Sequence, residues 1–171
     1  MTEPTASGRT RETRPRNPEV TKELLLSAAT EEFAQYGYAG ARIDRIADRA
    51  GTNKRMIYAY FGDKDGIFDA VVAANIRALA IATPLRDGDL VAFAAGRFDY
   101  ALANPAVRRL AAWRTFEDRV PTPEEEESYR AKVAVVAQAQ RAGRVTSVIP
   151  AVDLFALVLR MTESWLSAPP A

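Results

Sequence analysis

Residues 38–64 read YAGARIDRIADRAGTNKRMIYAYFGDK, and the fold turns on how this stretch is parsed. Ile43, Ile46, Ala47 and Ala50 share one side of a short helix from about Arg42 to Arg49. Asn53 then offers a side-chain cap to a following helix that runs to about Phe61. Between them lies Ala50-Gly51-Thr52, where Gly51 permits the positive φ that a tight crossing needs. Two short helices around a glycine turn make a helix-turn-helix over residues 42–61. Ile46, Ala47, Ala50, Ile57 and Phe61 are expected to pin the pair together.

The rest of the third helix is left to solvent. Asn53, Lys54, Arg55, Met56, Tyr58, Ala59 and Tyr60 offer amide, cation, apolar and phenol groups near a helix N-terminus. A major groove is read with such groups: cations on guanine, apolar contacts on the thymine methyl, amides and hydroxyls on phosphate. Many helical hairpins also turn on glycine, so the pattern alone leaves the function open. Charge placement adds to it. Residues 42–64 hold six basic and three acidic side chains, while residues 1–70 hold 11 of each sign. The positive charge is local, although the whole chain of 171 residues carries a formal net charge of only +1. The 19 arginines against four lysines fit codon bias in a GC-rich genome as well as nucleic-acid chemistry.

Outward from this stretch, helix signals follow one another and strand signals do not. Asn17-Pro18-Glu19 gives a cap, a proline at the first helical position and an acid in the first turn. Leu25, Ala29, Phe33 and Tyr36 recur at helical spacing, with Gly37 as a left-handed terminator. Glu31-Glu32 reads as solvated helix surface. Asp63 caps a fourth helix whose Ile67, Val71, Ala74, Ala78 and Ile81 form a stripe ending before Pro84. Asp87-Gly88-Asp89 opens a fifth with Val91, Ala94, Phe98 and Leu102 on one face, and Asn104-Pro105 caps a sixth. Thr122-Pro123-Glu124-Glu125 is a capping box for a seventh helix, which Gly143 ends. The acids Glu124 to Glu127 complement its dipole. An eighth runs from about Pro150 to Ser167. The chain reads as all-α.

Composition narrows the chemistry further. The sequence has no cysteine and no histidine, which removes disulfides, thiolate nucleophiles, imidazole catalysis and the usual transition-metal ligands. No catalytic constellation, cofactor motif or metal site is expected. The densest apolar run, Leu154 to Leu159, is far short of a membrane span, and residues 1–18 read as a polar, basic, disordered tail rather than a secretory signal. A cytoplasmic protein without a membrane partner follows. Arg9, Arg11, Arg14 and Arg16 in that tail suit either a solvated leader or an arm on DNA.

Gly37-Tyr38, Ile43, Ile46-Ala47, Ala50-Gly51, Ile57-Tyr58, Tyr60-Phe61 and Lys64, preceded by Ala28-Ala29 and Phe33, resemble the TetR family of transcriptional regulators over about residues 19–79. The resemblance implies an N-terminal three-helix DNA-binding domain over 19–79 and a helical ligand-binding and dimerisation domain over 80–171. It implies a homodimer on a palindromic operator of double-stranded DNA, usually released by a small-molecule effector. Carried across by position, Lys54, Arg55 and Met56 are candidates for base-edge contact. Arg42, Asn53, Tyr58, Tyr60 and Lys64 are candidates for phosphate contact. Two positions depart from the family pattern: Ala41 stands where a Thr or Ser often caps the second helix, and Ala59-Tyr60 where a histidine is common.

In the second half, aromatic side chains exceed what so small a helical domain needs, and the resemblance places an effector pocket among them. Tyr100, Trp113, Phe116 and Tyr129 are the pocket candidates. The last helix is apolar on nearly all sides, which calls for cover on nearly all sides, most simply from a second copy of the chain. Relatives usually add a further C-terminal helix there. Two other classes remain in play: a helical binding module without an operator, and a hydrolase using carboxylates alone.

Overall fold

A computed structural model describes residues 17–116 and 120–166, and every described element is helical. The N-terminal helices are α1 (Pro18–Gly40), α2 (Ile43–Arg49), α3 (Lys54–Phe61) and α4 (Lys64–Ala82). After them come α5 (Leu90–Ala103), α6 (Pro105–Phe116), α7 (Pro123–Arg141) and α8 (Ala151–Leu166). Apart from Asn17 and Pro18, which open α1, the expected tail lies outside the described residues, as do Ser167 and whatever follows it. No helix among the described residues is long and apolar enough to cross a membrane.

The caps are largely those the sequence predicts. Asn17, Asn53, Asp63, Asp89 and Thr122 each accept a backbone N–H from the first turn of the helix that follows. The capping box of α7 is complete, with Glu125 accepting the Thr122 N–H at 2.8 Å. Asn104 differs. Its side-chain amide donates to the Tyr100 carbonyl at 2.8 Å, so it closes the end of α5. Gly37 takes the positive φ expected of it, 66°, and breaks α1 there, but its ψ of 179° lies outside αL, and the chain resumes a helical turn as far as Gly40.

Two apolar cores form. The first joins α1 to α4 around Leu25, Phe33, Ile46, Ile57, Phe68 and Val71, and α6 adds Leu110 to it. Phe33, Phe68 and Tyr38 make an aromatic trio there, with Phe33 edge-on to Phe68 at 4.9 Å between centroids and Tyr38 edge-on to Phe68 at 5.3 Å. Such pairs add about 0.5–1.5 kcal/mol each beyond their buried area. The second core is smaller: Phe93, Val136 and Phe155 tie α5, α7 and α8. Gly88 lets the turn before α5 lie on α7, because a Cβ there would stand 2.3 Å from that of Ala139.

The buried side of α5 is not the one expected. Phe93 is buried, while Val91 and Leu102 are exposed. Likewise Ile67 and Val71 are buried in α4 but Ile81 is 81% exposed, so the stripe leaves the core in the last turns. Periodicity marked an apolar face in each case, but which of two faces is covered depends on partners distant in sequence.

Candidate nucleic-acid interface and ligand cavity

α2 and α3 stand against α1 and α4 through Ile46, Ala47, Ala50 and Ile57, all buried, with Phe61 half-buried beside them. Gly51 has φ 61°, as the turn requires. This packing fixes α3 by one face and leaves the opposite face in solvent.

Glu31 is exposed as expected, but Glu32 is fully buried and is not surface. Its Oε1 accepts the backbone N–H of Arg42 at 3.0 Å and the Nε–H of Arg45 at 2.7 Å. The hydrogen bond to Glu32 raises the pKa of Arg45 against the opposing effect of desolvation. Arg45 also lies 4.2 Å over the Tyr36 ring and donates to the Gly40 carbonyl. A carboxylate reaching across from α1 thus anchors the start of α2, where Ala41 has no hydroxyl to offer. Polar type alone suggested solvent; the signal missed was that Glu32 lies beside Phe33 and one turn from Ala28 and Ala29 on the buried side.

The DNA-binding candidates divide by exposure. Arg42, Asn53, Lys54, Arg55 and Tyr58 are exposed. Asn53 spends its Oδ1 on the Arg55 N–H at 2.9 Å, leaving the amide NH2 end. Lys54 pairs with Asp44 at 3.1 Å, and that hydrogen bond raises its pKa. A pair so open to water is weak and exchangeable. Met56 and Tyr60 are half-buried and pack against the first core, Tyr60 also edge-on to Phe61. Lys64, at the first position of α4, lies 4.6 Å over the Tyr38 ring and donates to the Ala39 carbonyl at 3.4 Å. The Tyr38 hydroxyl donates to Asp65 at 2.8 Å, so the end of α1 and the start of α4 are tied at the edge of the same surface.

In the second half, α4, α5, α7 and α8 line an open cavity of about 540 Å³. Ile76, Leu79, Phe155 and Leu159 give it apolar walls, and Tyr129 joins them with its ring 5.2 Å from that of Phe155. Among the candidates whose side chains are described, Tyr129 is therefore the one that lines the cavity. Tyr100 does not line it. Trp113 belongs elsewhere: its Nε1–H donates to the Ala34 carbonyl of α1 at 3.3 Å, and its ring lies against Gly37. The side chain of Phe116 lies outside the described residues.

Arg97 and Lys132 also line the cavity and were not foreseen. Arg97 sits one turn after Phe93 on the covered face of α5, and Lys132 between Tyr129 and Val136 on α7. A cation within an apolar stripe was the signal available in the sequence. Burial lowers the pKa of both, opposed by Glu163 for Arg97 and reinforced by the Arg97 charge for Lys132.

The helical order and this exposed recognition helix match known proteins. Residues 25–71 fit the family described as bacterial regulatory proteins, tetR family, and residues 89–171 fit the tetracyclin repressor-like C-terminal domain. The HTH-type transcriptional repressor SCO4008 of Streptomyces coelicolor is 40% identical over 152 residues, covering 86% of this chain and 79% of that protein. This chain belongs to the TetR family. It is an all-α, DNA-binding transcriptional regulator with an N-terminal helix-turn-helix. The crystal structure of the regulator SCO4942 from the same organism superposes with a TM-score of 0.77 at 35% identity, covering 86% of this chain and 80% of that one. The fold extends further: the fatty acid degradation regulator FadR of Bacillus halodurans shares it at a TM-score of 0.67 with 14% identity.

Proposed function

We propose that this TetR-family regulator is a repressor that binds a palindromic operator as a homodimer and is released by a small-molecule effector held in the cavity. The observation behind this reading is the coupling of two sites by shared helices. α4 begins at Lys64 and Asp65, against Tyr38 beside the recognition helix, and its later turns supply Ile76 and Leu79 to the cavity wall. A ligand that displaces those later turns moves the DNA-binding unit with them. α6 is a second link, since Leu110 and Trp113 rest on α1.

In this reading residues 19–79 read DNA and the remainder binds ligand and partner. Arg55 and Lys54 reach base edges, with Met56 contributing its exposed end. Arg42, Asn53, Tyr58, Tyr60 and Lys64 hold phosphates, Lys64 being aimed by the Tyr38 ring. The dimer forms through α8, whose Leu154, Phe155, Val158 and Leu159 turn inward while Val152, Leu157 and Met161 remain exposed for a second copy. Two recognition helices then enter successive major grooves about 34–36 Å apart. By linkage, operator DNA weakens effector binding by the factor that effector weakens operator binding.

Selection from random oligonucleotides tests the reading, with enrichment of a palindrome expected. On the selected site, Lys64→Ala lowers affinity for every sequence and reduces the salt slope by about one. Arg55→Ala instead relaxes preference at one position by about 1–3 kcal/mol. Binding without sequence preference, or without salt dependence, overturns the assignment.

A further inference from the structure

We infer that the cavity takes an amphipathic small-molecule anion, a carboxylate on an apolar body, with Arg97 as its principal anchor and Lys132 as the second cation. The inference deepens the effector reading above and rests on it. It starts from an imbalance among the polar groups. Arg97 emerges from the covered face of α5, one turn from buried Phe93, with a side chain only 19% exposed. Its Nε is buried and has no hydrogen-bond partner among the described residues. One terminal nitrogen of Arg97 forms a long ion pair with Glu163 of α8, at 3.6 Å, which leaves the Nε–H unmatched. Glu163 is half-exposed and also accepts from Arg160 at 3.2 Å. A buried guanidinium N–H left unpaired bears its desolvation cost uncompensated, so the site gains from any acceptor that reaches it.

Lys132 faces the same space from α7. Its Nζ donates to Ser128 at 2.7 Å, and no acid is paired with it among the described residues. Two like charges thus border one cavity, each lowered in pKa by burial, and the second further lowered by the first. A guanidinium stays charged even so. The acids of the lining are already occupied. Glu125 caps α7 through the Thr122 N–H, and Glu126 pairs with Arg130 at the exposed rim. Both stand in the first turn of α7, where the helix dipole favours them. Among the described residues the inner wall is therefore cationic at Arg97 and Lys132, with the hydroxyls of Thr83 and Ser128 beside apolar Ile76, Leu79, Phe155 and Leu159. That is the complement of a carboxylate joined to a hydrocarbon or aryl body, held by charge-assisted hydrogen bonds. A quaternary or amine ligand would meet two like charges, one largely covered and one half-buried.

Three probes of one shape separate the possibilities: 4-phenylbutyrate, its uncharged amide, and 4-phenylbutylamine. Each is titrated calorimetrically into the full chain in the absence of DNA. The carboxylate is expected to bind about tenfold or more tightly than the amide, and the amine not to bind. Arg97→Met removes most of that preference while leaving amide binding unchanged, and Lys132→Met reduces it by a smaller factor. Circular dichroism melts show that each variant is folded, and Lys132→Met carries the test if Arg97→Met is not. Amine binding equal to that of the carboxylate, carboxylate binding indifferent to both substitutions, or no binding of any probe overturns the inference. Because DNA is absent, these failures leave the operator reading intact. That reading is decided separately, by oligonucleotide selection and by the salt dependence of operator binding.

Discussion

The two ends of this molecule solve opposite packing problems. Around α3 the interior is filled: Phe33, Phe68 and Tyr38 interlock, Ile46 and Ile57 close the helix-turn-helix, and Glu32 ties α2 down. Among the described residues of α5, α7 and α8, Phe93, Val136, Ala139 and Phe155 are the buried apolar side chains, and beside them a cavity of about 540 Å³ remains with Arg97 and Lys132 on its wall. A recognition helix of eight residues cannot hold its own orientation, so its support must be rigid. On the proposed effector reading, the second half keeps room and an unmatched Arg97 Nε–H at the expense of close packing. What one end gains by close packing, the other gives up.

The comparison can be broken most directly at Phe33. Phe33→Ala empties the centre of the aromatic trio and is expected to cost about 3–5 kcal/mol in denaturant unfolding. A loss under about 1 kcal/mol would mean that the first core is no better packed than the second. Gly37→Ala comes next, at about 1–3 kcal/mol. It places a side chain at φ 66°, ψ 179°, a region nearly reserved for glycine, and 3.1 Å from the Trp113 ring. Its melt should shift the contact of α1 with α6 as well as the total. The smallest effect belongs to the cavity. Ala80→Leu adds three carbons to a wall that has space for them, so stability should change by less than about 1 kcal/mol. Ligand affinity should nevertheless fall. A large destabilisation there would show the cavity to be closed in solution.

The same division decided what could be read from the sequence. Caps, glycine turns and the helix-turn-helix are local, and Asn53, Asp63, Gly51 and the Thr122 capping box all sit where their neighbours in sequence place them. The exposed part of α3 was legible for the same reason, since solvent is what remains when Ile57 goes inward. The cavity was not. Its walls come from residue 76 to residue 159, and aromatic type alone pointed to Trp113 and Tyr100 as readily as to Tyr129. Trp113 lies instead on α1, a contact spanning 79 positions of sequence. Glu32 and Arg97 were missed in a shared way. Each is a charge inside an apolar stripe, and only the fold shows whether a partner meets it.

One contact gives the protein an optical property. Indole emission follows the polarity and hydrogen bonding of its surroundings, and Trp113 is one of two tryptophans in the chain. Its N–H rests on the backbone of α1 while its helix belongs to the C-terminal half, so the ring stands at the joint between the two halves. In a Trp165→Phe background, Trp113 becomes the sole fluorophore of its kind. Its spectrum then reads the relative position of the two halves in real time, with no label attached and no DNA present.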